Sequence, residues 1–146
     1  MIVLSFAVRG LPVPQGSMRA FVRNGHAAVT SDNPLLRSWR SEVTSAAAAA
    51  FAGRPPLTGP VMVALRFILP RPTGHFGKRG LLPSAPRFPI GARGDLDKLC
   101  RGVLDAITGA GVWRDDGQAV SLTAAKLYGD QPGVQVDLTA LAEPDR

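Results

Sequence analysis

Residues 94–120 read GDLDKLCRGVLDAITGAGVWRDDGQAV. Leu96, Leu99, Cys100, Val103, Leu104 and Ile107 fall at i, i+3, i+4, i+7, i+8 and i+11. That spacing draws one apolar stripe along a helix, predicted over about 95–108, with Gly109 and Gly111 as its stop. Acids frame this helix. Asp95 and Asp97 stand at its start, and Asp115 and Asp116 follow it in a turn, where Asp116-Gly117 is a favourable turn pair. A helix with a single apolar face must be buried against another layer, so the flanking sequence decides the fold class.

On both sides the flanks alternate. Downstream, AVSLTAAKLYG and GVQVDLTAL read as two strands joined by GDQPG. Upstream, Val61, Val63, Leu65, Phe67 and Leu69 alternate in a further strand. Between that strand and the helix lies a Pro/Gly-rich loop at 70–94, with Arg71, Lys78, Arg79, Arg87 and Arg93 and no acid. A structureless connection of this length is uncommon in a compact domain unless it is functional or mobile. Nearer the N-terminus, Ile2, Leu4, Phe6 and Val8 alternate in a first strand, which the absence of a basic leader distinguishes from a signal peptide. Asn24-Gly25 between short apolar runs predicts a hairpin. A second helix is predicted from Asn33 as cap and Pro34 as first residue to Gly53, with Leu35, Leu36, Trp39, Val43, Ala46, Ala47 and Ala50 as its stripe. The expected fold class is α+β: a single domain over 1–146, a mixed sheet of about five or six short strands covered by two helices, and a short polar tail at 141–146.

Composition narrows the class. The chain has 146 residues, 45% of them hydrophobic, with mean hydropathy near zero. No apolar run approaches the roughly 20 residues that span a bilayer, so no membrane partner is expected. Cys100 is the single cysteine, which excludes an intrachain disulfide and a multi-thiolate zinc site and fits a reducing, cytoplasmic compartment. The net charge is +6, unevenly distributed. Residues 1–93 hold twelve Lys/Arg against Asp32 and Glu42, whereas residues 94–146 hold five against nine acids. A basic body attracts polyanions. An acidic cluster inside it repels the same polyanion unless a divalent cation neutralises it.

The acids admit several readings. Asp97, Arg101 and Asp105 are four residues apart on the polar face, a spacing that suits a ladder of surface ion pairs. Asp95 can act as the N-cap, and both early acids suit the positive end of the helix dipole. Turn chemistry explains one of Asp115 and Asp116 better than it explains both. If the strand after them packs beside the helix start, three carboxylates converge, a hard oxygen set that suits magnesium. His26 and His75 are isolated in turn or loop contexts and read as solvated. An aspartyl-phosphate phosphatase needs a buried strand before its paired aspartates, and the preceding RFPIGARG is polar and glycine-broken. A sugar-nucleotide transferase needs a nucleotide-binding domain, for which the chain lacks both length and a βαβ pattern. An EF-hand fails because its later ligand positions are apolar or basic here.

The 27 residues 94–120 resemble the signature of the RusA family of Holliday junction resolvases, often encoded by phages and prophages. The match lies in the Asp-x-Asp start, a helix bearing the LDA segment, and an aromatic-x-Asp-Asp-x-Gln sequence. AAKLYGDQPGVQVDL resembles the family's closing strands, and GLPVPQGSMR fits more loosely. The resemblance implies a small homodimeric endonuclease, dependent on Mg2+ or Mn2+, that nicks two opposed strands of a four-way DNA junction. It maps the catalytic acids and metal ligands onto Asp95, Asp97 and Asp116, with Asp115 a weaker candidate. Asp105 matches the LDA aspartate and is expected to pair with Arg101 or cap backbone. The family's functional lysine is replaced by Arg101, and Lys98 lies about 60° from it around a helix of 3.6 residues per turn. Arginine cannot exchange a proton at working pH, so Arg101 and Lys98 are expected to act on charge. Arg71, Lys78, Arg79, Arg87 and Arg93 are the expected DNA contacts. Cleavage of flaps or forks, and DNA binding without cleavage, are the alternatives.

Overall fold

The computed structural model describes residues 2–16, 19–30, 34–91 and 94–143. The expected Asn33 cap and Arg93 lie outside the described residues. The main sheet has four strands: β1 (Ile2–Arg9), β4 (Val61–Leu69), β7 (Ala119–Tyr128) and β8 (Gly133–Ala140), in the order β1-β8-β4-β7. β8 pairs antiparallel with both β1 and β4, while β4 and β7 run parallel. Parallel neighbours cannot be joined by a tight turn. The connection from β4 to β7 therefore carries the basic loop, helix α2 (Leu96–Gly109) and the acidic turn. It makes one βαβ unit, against the expectation that the chain lacks that pattern.

Four of the expected five or six strands build this sheet, and the predicted hairpin supplies two more that pair with each other. β2 (Arg19–Arg23) and β3 (His26–Thr30) form a separate two-stranded sheet. Asn24 and Gly25 turn it with φ of 52° and 76°, the positive pair that matches strand twist. The loop at 70–94 is also more ordered than its composition predicts. It contains a 3-10 turn at Thr73–His75 and a small hairpin of β5 (Phe76–Gly77) and β6 (Gly80–Leu81).

Both α-helices lie on one face of the main sheet. α1 (Pro34–Phe51) buries Leu36, Trp39, Val43, Ala47 and Phe51. Leu35, placed in that stripe from sequence, is 63% exposed. Residues 36, 39, 43 and 47 keep the inward bearing, and a neighbour one position away is turned by about 100°. α2 buries Leu99, Cys100, Val103, Ala106 and Ile107 against α1 and the sheet. In β4 every second residue is buried, from Val61 through Phe67 to Leu69. Each such side chain contributes about 1.5–3 kcal/mol of burial. Among the described residues no helix is long and apolar enough to cross a membrane.

Cys100 sits in this core. Burial, and then the neighbouring Asp97 charge, push its thiol up to about 11. Because only the thiolate reacts, native protein at pH 8 is expected to resist iodoacetamide and to label rapidly in urea. Equal rates in both conditions would show that the α2 face opens readily.

Candidate active site

The start of α2 is pinned from two sides. Gly94 has φ of 100°, and a Cβ there would run into the Pro14 ring. Its carbonyl accepts a hydrogen bond from Lys126 Nζ at 3.1 Å. The backbone N–H of Gln15 donates to the Lys98 carbonyl at 3.0 Å. The 13–15 segment lies in close contact with the helix at Gly102, where a Cβ would meet the Val13 carbonyl at 3.7 Å and Gln15 Cβ at 3.8 Å, ordinary packing distances. Asp95 occupies the N-cap position, yet its side chain makes no capping hydrogen bond. Asp95 and Asp97 are both exposed at the positive end of the helix.

A different set of bonds holds the acidic turn. Trp113 is buried and donates its indole N–H to Thr108 Oγ1 at 2.7 Å. Leu57 donates its backbone N–H to the Val112 carbonyl at 2.8 Å. Gln118 then brackets the turn. Its Oε1 accepts from the backbone N–H groups of Arg114 (2.8 Å) and Asp115 (3.3 Å). Its Nε2 donates to the carbonyls of Leu57 (2.8 Å) and Gly59 (3.0 Å). Asp115 caps the short 3-10 turn Asp116–Gln118 by accepting from the Gly117 N–H at 3.2 Å. One aspartate is thus engaged in turn chemistry, and Asp116 is left facing outward.

Asp116 lies over the middle of α2. Partial burial of its carboxyl raises its pKa first, then the Asp115 and Asp105 charges, while Arg101 opposes them. Asp105 is held by Gln15, whose Nε2 donates to Oδ2 at 2.7 Å. The partner expected for Asp105 was Arg101 or nearby backbone. Gln15 displaces both because the 13–15 segment lies directly on the helix. Among the described residues Asp97 and Arg101 form no hydrogen bond or ion pair, so the ladder that their spacing suggests is not made. The fold brings Asp116 within charge range of Arg101 and Asp105, while Asp95 and Asp97 stand at the start of α2, one to two helical turns before Arg101. Among the described residues no three His, Cys, Asp or Glu side chains gather closely enough to enclose a metal by themselves. The uncommitted carboxylates still suit magnesium as donors, since that ion often takes only one or two and fills its shell with water and phosphate.

The basic loop divides its residues. Arg71 stacks on the Tyr128 ring at 4.8 Å and donates to the Pro86 carbonyl at 2.7 Å. His75, expected to be solvated, packs edge-on against the same ring at 5.2 Å. Lys78, Arg79 and Arg87 are exposed.

Residues 10–139 match the family described as Endodeoxyribonuclease RusA. The chain belongs to the RusA family. That family consists of endodeoxyribonucleases, hydrolases that cut the DNA backbone within a strand. The chain is also 28% identical over 138 residues to a Bacillus subtilis (strain 168) protein described as uncharacterized protein YqaN. The alignment covers 93% of this chain and 95% of that protein. Against this RusA-family background, Gln15 and Gln118 are the supporting residues that sequence reasoning left without a role. Gln118 stands inside the signature, and its position after paired aspartates at the mouth of a strand was the available signal. Gln15 offered none, because its partner Asp105 is 90 residues away.

Gln118→Ala removes both faces of the bracket. Its expected cost is about 0.5–1.5 kcal/mol, the net range for a hydrogen bond whose partners can turn to water, read from the urea midpoint. Asp116→Asn is expected to act in the opposite sense. A carboxyl whose folded pKa is raised loses stability as pH climbs from the ordinary Asp range, about 3.9, through the folded value. The penalty is complete once the pH has passed the folded value. The Asn variant should therefore be more stable than the parent at pH 7 and match it in strong acid. A lower midpoint at pH 7 would contradict the repulsion assigned to this carboxyl.

Proposed function

We propose that this chain is a metal-dependent endonuclease that resolves four-way DNA junctions, acting as a cytoplasmic homodimer. The observation that carries this reading is negative charge that the fold does not neutralise. Asp95 does not cap its helix, Asp97 has no partner among the described residues, and Asp116 is set against Asp115 and Asp105. The chain is otherwise strongly basic. Such an arrangement weakens the folded state and repels a phosphodiester, unless a cation stands between acid and phosphate.

Asp95, Asp97 and Asp116 would supply carboxylate oxygens to Mg2+, or Mn2+ in its place, with water and DNA phosphate completing a shell that the three do not enclose by themselves. When bound, a divalent cation lowers the pKa of a coordinated water and offsets charge on the phosphate. Arg101 is within charge range of Asp116 and carries a fixed charge with no hydrogen-bond or ion-pair partner among the described residues. It cannot transfer a proton. Its role is to hold the scissile phosphate and stabilise charge that develops in the transition state. Lys98, one helical turn back, can face the same phosphate. Asp115 is already engaged as a cap and contributes by keeping Asp116 in place. A junction presents two opposed strands, and a two-fold dimer presents two such sites to them.

The test is incubation with a synthetic four-way junction, a linear duplex and a flap, each with Mg2+ and with EDTA. Paired symmetric nicks in the junction, dependent on Mg2+, are expected. Cleavage confined to flaps would redirect the reading to other branched DNA, and binding without cleavage would end the catalytic one. Asp97→Asn is expected to abolish nicking while junction binding is retained or tightened, because a charge repelling the phosphate is gone. Arg101→Lys should retain activity that Arg101→Ala largely loses. Equal activity in both would reduce Arg101 to a surface charge.

A further inference from the structure

The face of the main sheet turned away from α1 and α2 carries exposed Ala7, Arg9 and Arg66. At the end where β4 and β7 finish, this face dips into a groove of about 840 Å³. Its lining includes Arg9 from β1, Arg66 from β4, Arg71 and Arg87 from the basic loop, and the rings of Phe88 and Tyr128. We propose that this groove is a second DNA-binding site, which takes the sugar-phosphate backbone of a DNA arm beside the cleaved strand. The proposal rests on reading the chain as a DNA nuclease.

Four arginines converge in one concavity, and Asp130 is the one acid in its lining. The fold makes no use of most of that charge. Among the described residues Arg9, Arg66 and Arg87 form no hydrogen bond or ion pair. Arg66 faces Gln135 across the ladder, and the next outward residue on β8, Asp137, is engaged by Ser5 Oγ at 2.6 Å. Like charges gathered in a hollow repel one another and focus the field outward. That arrangement gains energy only when a polyanion enters. Aromatic surface is also on offer. Phe88 is 56% exposed, and such rings accept sugars and bases without regard to sequence.

The groove connects to the acids through β7: Tyr128, under Arg71, is two residues, or about 7 Å of strand, from Lys126, which holds Gly94 next to Asp95. The acids stand on the helix side of the sheet and the groove on its other face, so a DNA arm would reach the groove around the sheet end where β4 and β7 finish. This assigns Arg9 and Arg66, which lie far from the signature in sequence, to the DNA surface.

The experiment is anisotropy titration of a fluorescent four-way junction in EDTA across a salt series, so that no cleavage intervenes. Arg9→Gln/Arg66→Gln is compared with wild type and with Arg9→Lys/Arg66→Lys. Each lost phosphate contact lowers the salt slope by about 0.9, so the Gln pair should flatten it by about 2 and weaken binding roughly tenfold at 150 mM salt. The Lys pair should restore the slope. A Gln variant with wild-type affinity and slope overturns the groove, while salt-dependent binding by wild type leaves the nuclease reading intact. Wild-type protein that binds no DNA at low salt overturns both.

Discussion

The parallel ladder between β4 and β7 is the constraint on which the rest of the structure depends. Two strands that run the same way must be joined by a segment that leaves the sheet and returns to its starting edge. In this chain that segment holds every residue of the proposed catalytic cluster. Because β7 returns beside β4, the turn before β7 is carried back along α2, and Asp116 comes to lie over Arg101 and Asp105. An antiparallel return would have put the acidic turn at the other end of the sheet.

The two halves of the site are stabilised by different means. The helix start is held by backbone contacts: a glycine folded against a proline, a carbonyl taken by a lysine, and the main-chain N–H of Gln15 laid on the helix at Lys98. The acidic turn is held by one amide side chain and one buried indole. Neither set uses the carboxylates of Asp95, Asp97 or Asp116. The fold thus presents charged groups without spending them on its own stability, a usual signature of a site that serves a ligand.

How much of this was legible in the sequence follows from the range of the interactions involved. The α2 stripe and the alternation of β4 were legible because burial repeats with the period of the element. The Asn24-Gly25 hairpin was legible because two residues determine its turn. The parallel pairing was not, since alternation marks a half-buried strand and says nothing of its partner's direction. The misplacement of Leu35 came from two adjacent leucines, of which the packed layer admits one. Asp95 and Asp116 were found as candidates from spacing. The division of the acids into two groups, with Asp105 tied to Gln15, arises from a contact across most of the chain. Arg9 and Arg66 drew no notice because only the folded sheet places them in one hollow.

The Gln118 bracket has a consequence for how the chain can vary in length. It ties the turn after α2 to residues 57 and 59, before β4 begins, so the end of the crossover is fixed to the segment that leads into the strand it left. One residue inserted in α2 would rotate everything beyond it by about 100°, carrying Asp105 away from Asp116 and Gln15. The described residues between β6 and Gly94 make no hydrogen bond to the main sheet or to α2. Insertions and deletions among relatives should gather between β6 and Gly94, while the spacing from Asp95 to Gln118 stays constant.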